Sequence, residues 1–294
     1  MEWLKRLSNA IEYMEEHLAG EISYEEAAKI ACCSTFYFQR MFSYVAGISL
    51  SEYIRRRRMT QAAFELQNTD LKVIDIAMKY GYTSAASFNR AFHSIHGASP
   101  IAARLSRCIL NSYPPIRLSV NVIGGEAMSY RVVEKESMRV VGVRTPLLPD
   151  MEENQRMVPL FWEDIRKSNQ FTELHELNNL PPHGLLGITA CHENGDIYYY
   201  IGVSTGRPVP IDMYELSIPS ATWVVFENSG YFKESVQSIF RRFLTEWLPF
   251  SGYTYAELPD IEVYEKVDEN NRKGHSEVWI AVKREGSKFP VKED

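Results

Sequence analysis

The chain has 294 residues, of which 45% are apolar and 24% charged, with a net charge of −6 at neutral pH. That length and balance fit two folded domains, or three, with cores large enough to need no crosslinks. No apolar run reaches the roughly 18 residues of a membrane-spanning helix, the charged N-terminal stretch does not read as a signal peptide, and Cys32, Cys33, Cys108 and Cys191 form neither a CxxC motif nor a disulfide framework, so no membrane association and a reducing cytoplasm are expected.

The charge is uneven. Residues 1–107 carry 13 Lys and Arg against 11 Asp and Glu, whereas residues 108–294 carry 19 against 27. The two parts are therefore expected to meet different partners. The first part also contains a repeat. At an offset of 50, residues 26–53 and 76–103 share Ala27/Ala77, Lys29/Lys79, Ser34/Ser84, Phe38/Phe88, Arg40/Arg90, Phe42/Phe92, Gly47/Gly97 and Ser49/Ser99 without a gap. Each copy reads as helix, tight turn, helix. Tyr24–Ala31 is the first helix of copy one, Ser34 caps the second, and Gly47 ends it. Phe38, Met41, Phe42 and Val45 recur at helical spacing and form its buried face. In copy two, Val73–Tyr80 is followed by a turn at Gly81, a cap at Ser84, a buried face of Phe88, Ala91, Phe92 and Ile95, and a stop at Gly97. Ser99-Pro100 then opens another helix, with Pro at a favourable first position.

The opposite faces of the two second helices carry Thr35, Phe36, Gln39 and Arg40, and Ala85, Ala86, Asn89 and Arg90. Arg can pair with guanine O6 and N7, and Gln or Asn with adenine N6 and N7, so these faces suit the major groove of double-stranded DNA. Two such units in one chain can read groove segments about one helical turn apart. Between the copies Ser51–Gln67 reads as one long helix carrying Arg55, Arg56, Arg57 and Arg58. Four consecutive residues circle a helix, so the run fits equally a set of phosphate contacts and a solvated, ion-paired surface.

Pro114-Pro115 and Gly124-Gly125 mark residues 108–127 as a linker. Strands follow at Ser129–Glu134 and Arg139–Thr145, then a helix at Pro159–Lys167 and a hairpin of Gly184–Cys191 and Ile197–Val203 joined by His192–Asp196. The pattern recurs as strand Thr222–Glu227, a turn at Ser229-Gly230, helix Glu234–Trp247, and strands Ile261–Lys266 and Glu277–Val282. Two strand–helix–strand–strand halves imply an α+β domain with one antiparallel sheet and two helices. Alternation along strands puts Glu262 beside Tyr264, Glu277 beside Trp279 and Tyr198 beside Tyr200. Carboxylates flanked by aromatic rings suit a flat organic cation. Cys191-His192 lacks a third partner and reads as a turn edge, and no Walker loop, GxSxG, HExxH or GxGxxG motif occurs, so no cofactor, metal or catalytic residue is expected.

The stretch from Ala27 to Ser49, then YIRRRRMTQAAFEL and IAMKYGYTSAASFNRAFHSIHGASP, resembles the AraC-type DNA-binding domain. The resemblance implies base contacts from Phe36, Gln39 and Arg40 in copy one and from Ala85, Ala86 and Arg90 in copy two. Alanine offers only an apolar contact to a thymine methyl, so copy one together with Arg90 is expected to carry more of the specificity. The second half resembles the GyrI-like effector-binding domain over residues 128–284, through Phe161-Trp162, Tyr200-Ile201-Gly202-Val203, Trp223 with Phe226 and Gly230, Trp247 with Ser251-Gly252-Tyr253, Ile261–Tyr264 and Glu277–Ile280. It departs where the family often has Pro two residues after that Ile; here Ala281 and Val282 follow. The resemblance implies Glu277 at the base of an effector pocket, with Trp279, Tyr264, Glu262, Trp223, Trp162, Phe161, Tyr200 and Tyr198 around it. Trp162 and Trp223 fit a core as well as a pocket wall, and Trp247 fits the core.

The reading is a two-domain chain: an all-α double helix-turn-helix domain (1–107), a linker (108–127) and an α+β effector domain (128–294). It implies a transcription regulator and not an enzyme, with double-stranded DNA, a small aromatic or cationic effector and RNA polymerase as partners. By family analogy it activates. Two alternatives stand beside it: a C-terminal hydrolase of small reactive compounds using Glu277 and Glu262, and an acidic protein-interaction module.

Overall fold

A computed structural model of the chain describes residues 2–105, 107–118, 127–148, 151–192, 195–267 and 273–284. The chain divides into two compact units, Met1–Val120 and Asn121–Asp294. The expected turn at His192–Asp196 lies partly, and Gly124-Gly125 wholly, outside the described residues. Among the described residues no helix is long and apolar enough to cross a membrane.

The first unit is helical: α1 (Glu2–Glu16), α2 (Tyr24–Ile30), α3 (Thr35–Ala46), α4 (Leu50–Asn68), α5 (Val73–Lys79), α6 (Ala85–His96) and α7 (Pro100–Ala103). The repeat's punctuation is what shapes it. The hydroxyls of Ser34, Ser49, Ser84 and Ser99 each accept the backbone N–H three residues on and start α3, α4, α6 and α7. Gly47 and Gly97 end α3 and α6 in the left-handed conformation that a Cβ disfavours. Phe38 and Phe42 are buried in one small core with α1, and Phe88 and Phe92 in a second with α5. Helix α4 serves both cores: Leu50, Tyr53 and Ile54 enter the first, and Met59, Ala62, Ala63 and Leu66 the second.

The segment expected to be a linker is bound over 108–118. Leu110 and Tyr113 pack on the second core, Ile116 and Leu118 on the first. Asn111 donates to the His96 ring and the Ile95 carbonyl, the Tyr113 N–H to the Thr60 hydroxyl, and the Ile116 N–H to the Tyr53 hydroxyl. This strap ties both cores to α4 through backbone groups, so sequence punctuation alone gave no sign of it.

Arg57 and Arg58 of the arginine run bond to groups outside α4. Arg57 is 4% exposed and forks onto the Glu15 carboxylate of α1, while its Nη1 donates to the Tyr113 carbonyl. Arg58 donates to the carbonyls of Leu18 and Gly20 and lies against Gly81, where a Cβ would sit 2.9 Å from its Nη1. Arg55 and Arg56 pair with Glu52. Burial favours the structural reading over phosphate contact for Arg57, whereas Arg55 remains exposed.

The second unit contains β1 (Tyr130–Lys135), β2 (Met138–Pro146), α8 (Met151–Lys167), α9 (Asn169–Leu177), β3 (Leu185–Cys191), β4 (Ile197–Ser204), β5 (Tyr214–Ile218), β6 (Ala221–Tyr231), α10 (Phe232–Arg242), a π-turn at Phe243–Trp247, a 3-10 turn at Leu248–Phe250, β7 (Tyr253–Tyr255), β8 (Asp260–Val267) and β9 (Lys273–Arg284). The strands form one antiparallel sheet in the order β1-β6-β9-β8-β3-β4-β2-β5, with β7 on β9. The two expected halves are visible as β2-α8/α9-β3-β4 and β6-α10-β8-β9, joined where β3 pairs β8.

Several elements differ from expectation for tertiary reasons. Helix α8 begins eight residues before Pro159, because Val158, Phe161, Trp162 and Ile165 pack on the sheet and the Asn154 side chain pins the Leu148 backbone. The helical content exceeds two elements, since α9 packs Leu174 and Leu177 on the same face. No turn forms at Ser229-Gly230: β6 continues to Tyr231 because β9 supplies ladder partners His275, Gly274 and Lys273. Helix α10 stops at Arg242 and the chain widens into the π-turn, which stacks Phe243 on Trp247 at 5.7 Å. Trp247 is core, as expected.

Candidate functional site

The two faces expected to meet DNA differ. On α6, Ala85, Ala86, Asn89, Arg90 and His93 are all exposed. On α3, Thr35, Phe36 and Gln39 are half-buried, and Arg40 is 5% exposed. Its guanidinium lies 5.9 Å from the Phe36 ring and 5.5 Å from the Tyr44 ring, and its Nε donates to the Tyr44 hydroxyl at 3.2 Å. Arg40 therefore reaches a base edge only by leaving this aromatic sandwich. The repeat aligns Arg40 with Arg90 in sequence, but Tyr44, which holds Arg40, is Ser94 in copy two. The expected weighting toward copy one runs against the exposures, which favour α6.

In the second unit the nine expected pocket residues divide between the two faces of the sheet. Helices α8 and α9 cover one face. There Glu262 on β8 is half-buried, and the hydroxyls of Tyr264 and Tyr199 both donate to its Oε2. The Trp162 indole N–H of α8 donates in turn to the Tyr199 hydroxyl at 3.0 Å, and the Trp162 and Tyr264 rings meet edge-on at 5.3 Å. Phe161 packs at the margin of this core, and Arg166 lies over the Trp162 ring at 5.5 Å. Gly187 faces Glu262 across the β3–β8 pair. A Cβ there would sit 2.3 Å from the Tyr199 hydroxyl and 3.2 Å from Glu262 Oε2, so only glycine leaves room for the phenol to reach the carboxylate. Burial, and then the adjacent Glu262 charge, hold the Tyr264 phenol well above its ordinary pKa, so it stays a neutral donor.

The opposite face carries Glu277, Trp279, Trp223, Tyr198 and Tyr200. Glu277 is 8% exposed; its Oε2 accepts the Trp279 indole N–H at 2.8 Å and its Oε1 accepts Arg131 of β1 at 2.6 Å. A cation of the protein already sits on Glu277. Trp223 and Trp279 are buried in the core of that face. Tyr198 and Tyr200 lie on β4, far along the sheet order from β9, with Arg144 and His192. Glu277 and Glu262 therefore do not line one pocket. Tyr199, Arg131, Arg144 and His192 were not anticipated. For Tyr199 half of the signal was present: alternation within the Tyr198-Tyr199-Tyr200 run sends the middle ring to the face opposite its neighbours, and the β4–β3–β8 register makes that the Glu262 face. Among the described residues no group of His, Cys, Asp and Glu is placed to hold a metal ion.

Comparison with known proteins settles the family. Residues 128–283, more than half of the chain, match the GyrI-like small molecule binding domain, and residues 27–106 match a helix-turn-helix domain family. The chain belongs to the AraC-type regulators with a GyrI-like small-molecule-binding domain. The HTH-type transcriptional activator AarP of Providencia stuartii is 41% identical over 100 residues, 34% of this chain and 74% of AarP. The transcriptional regulator Rob of Salmonella typhimurium is 29% identical over 159 residues, 52% of this chain and 54% of Rob, so the match spans about half of each. A solved structure of a protein bound to tetraphenylphosphonium is similar to part of this chain at 23% identity, with a TM-score of 0.46, covering 53% of this chain and 94% of that one. In this AraC-type regulator the helical unit is thus the DNA-binding part, and the sheet unit is the small-molecule-binding part.

Proposed function

We propose that this regulator reads its operator chiefly through α6, with Ala86, Asn89 and Arg90 at base edges and Phe36 and Gln39 of α3 in the neighbouring groove segment. It binds an aromatic organic cation at Glu262. The observation that carries the effector reading is the convergence of Trp162, Tyr199 and Tyr264 on one carboxylate: aromatic faces attract a cation and the carboxylate supplies its countercharge. Glu277, already bridged to Arg131, acts as a structural ion pair. The ligand is bound and released, not turned over. Effector binding changes promoter occupancy because the cation binds the competent state more tightly than the other. The likeness to the activator AarP supports activation, with RNA polymerase as the downstream partner.

The test is a titration of the full-length protein with tetraphenylphosphonium, followed by tryptophan fluorescence. Saturable quenching is expected, weakened about tenfold or more by Glu262→Gln, the loss expected for one charged partner, and changed little by Glu277→Gln. Equal affinity in wild type and Glu262→Gln overturns the assignment.

A further inference from the structure

The face of the sheet away from α8 holds a cation that the effector reading does not use. Arg144 of β2 stands across the ladder from Tyr200. Its guanidinium carbon lies 4.0 Å from the Tyr198 ring centroid and 4.1 Å from that of Tyr214 on β5, so both rings pack closely on it. Its Nη1 donates to the Tyr200 hydroxyl at 3.0 Å, and the His192 Nε2 meets the same hydroxyl at 2.9 Å. Tyr200 is fully buried, which fixes that anchor, whereas Tyr214 is 48% exposed and leaves the cluster open to solvent.

A guanidinium has five N–H donors. Among the described residues only Nη1 of Arg144 is engaged by a hydrogen bond, and no carboxylate pairs with it. Two other arginines of this sheet are matched by carboxylates: Arg131 with Glu277 and Glu227, and Arg139 with Glu215. Arg144 is instead held by phenol rings, which orient it without neutralising it. A planar fork kept in place by stacking, with donor edges left over, has the geometry of a bidentate carboxylate receptor. The surrounding half of the chain is acidic, so the general field does not attract anions there, and recognition must come from this local cluster.

We propose that Arg144, with Tyr198, Tyr214, Tyr200 and His192, forms a second small-molecule site, for an aromatic carboxylate. Arg144 takes the carboxylate through its remaining N–H groups, and the Tyr198 and Tyr214 rings give the aromatic body an apolar surface. The site lies on the other face of the sheet from Glu262 and prefers the opposite charge, so it stands whether or not Glu262 binds a cation.

The test is ligand-observed fluorine NMR with 4-fluorobenzoate and the full-length protein at fixed salt. Saturable binding is expected, weakened about tenfold or more by Arg144→Gln. Arg144→Lys keeps the charge but loses the fork, and is expected to weaken binding by a similar factor. Tyr214→Ala, at an exposed position, removes one stacking wall and is expected to weaken it several-fold. Glu262→Gln leaves it unchanged, and the neutral isostere 4-fluorobenzamide binds far more weakly. Absence of saturable binding to the wild type, equal binding by Arg144→Gln with an unchanged circular dichroism spectrum, or equal binding of the amide would each overturn the site.

Discussion

Replacing Arg57 by Met tests whether the arginine run is wiring or a DNA-binding patch. Arg57 is 4% exposed, and its Nε and Nη2 reach Glu15 at 2.7–3.0 Å. Glu15 also accepts the Tyr53 hydroxyl at 2.7 Å, and that hydroxyl receives the strap's Ile116 N–H. Removing the guanidinium strands a carboxylate whose side chain is only 18% exposed, together with the Tyr113 carbonyl. Breaking a buried pair from one side costs about 3–5 kcal/mol; the residual exposure of Glu15 puts this one near the low end. For a helical unit of this size, such a loss lowers the melting midpoint by about 10 °C. Urea unfolding of the full-length protein, followed by far-ultraviolet circular dichroism, reads the cost. The double variant Glu15→Leu/Arg57→Met is expected to recover most of it, because an apolar replacement of both partners leaves no unpaired charge. A single variant within about 0.5 kcal/mol of wild type, the range of ordinary surface changes, would refute the structural role.

Three further outcomes follow from the same geometry. Arg90→Ala is expected to cost about 1–3 kcal/mol of specific DNA affinity with stability unchanged, whereas Arg40→Ala is expected to lower the unfolding midpoint through its lost aromatic sandwich; the reverse pattern in gel-shift and thermal assays would show that α3 presents its arginine. Gly187→Ala drives a Cβ into the Tyr199 hydroxyl and is expected to cost about 1–3 kcal/mol of stability and to weaken tetraphenylphosphonium binding; unchanged calorimetric midpoint and affinity would contradict the Glu262 geometry. Burial holds the His96 pKa below its usual value of 6.5, while its ring bridges the Met59 carbonyl and the Asn111 N–H. A base with a depressed folded pKa contributes stability that is intact above the unfolded value and is lost as pH falls from about 6.5 through the folded value. Denaturant midpoints of wild type are therefore expected to fall below pH 6.5 more steeply than those of His96→Gln, and parallel profiles would remove His96 from the account.

Local signals were readable where the physics is local. Ser34, Ser84 and Ser99 cap, Gly47 and Gly97 stop, and the Phe38/Phe42 and Phe88/Phe92 faces bury, all within a few residues of the motif that encodes them. The two strand–helix–strand–strand halves were visible for the same reason. Sequence alone did not show pairings chosen across the fold. Glu15 lies 42 positions from Arg57, and the Tyr53 hydroxyl meets Ile116 across 63. Strand β6 outruns its Ser-Gly signal because β9 lies beside it. The short strands β5 and β7 and helix α9 have weak patterns and exist because a neighbour pairs or packs with them. At the candidate site, alternation correctly joined Glu262 to Tyr264 and Glu277 to Trp279. It did not reveal that the two pairs occupy opposite faces, because that depends on the β8–β9 register, which sets Val263 opposite Glu277.

Under the proposed function, one chain couples operator binding to a cation held at Glu262. The most direct test is the affinity of the full-length protein for tetraphenylphosphonium with and without its operator duplex, recovered by selection from random DNA, at one stated near-physiological salt concentration. Coupling between sites is reciprocal, so DNA is expected to change cation affinity about fivefold or more, and the cation to change DNA affinity by the same factor. Both changes are expected to vanish in Glu262→Gln. Tight binding of both ligands with identical affinities in each other's presence and absence would contradict the account, leaving a DNA-binding domain and a small-molecule domain that share a chain without sharing an equilibrium.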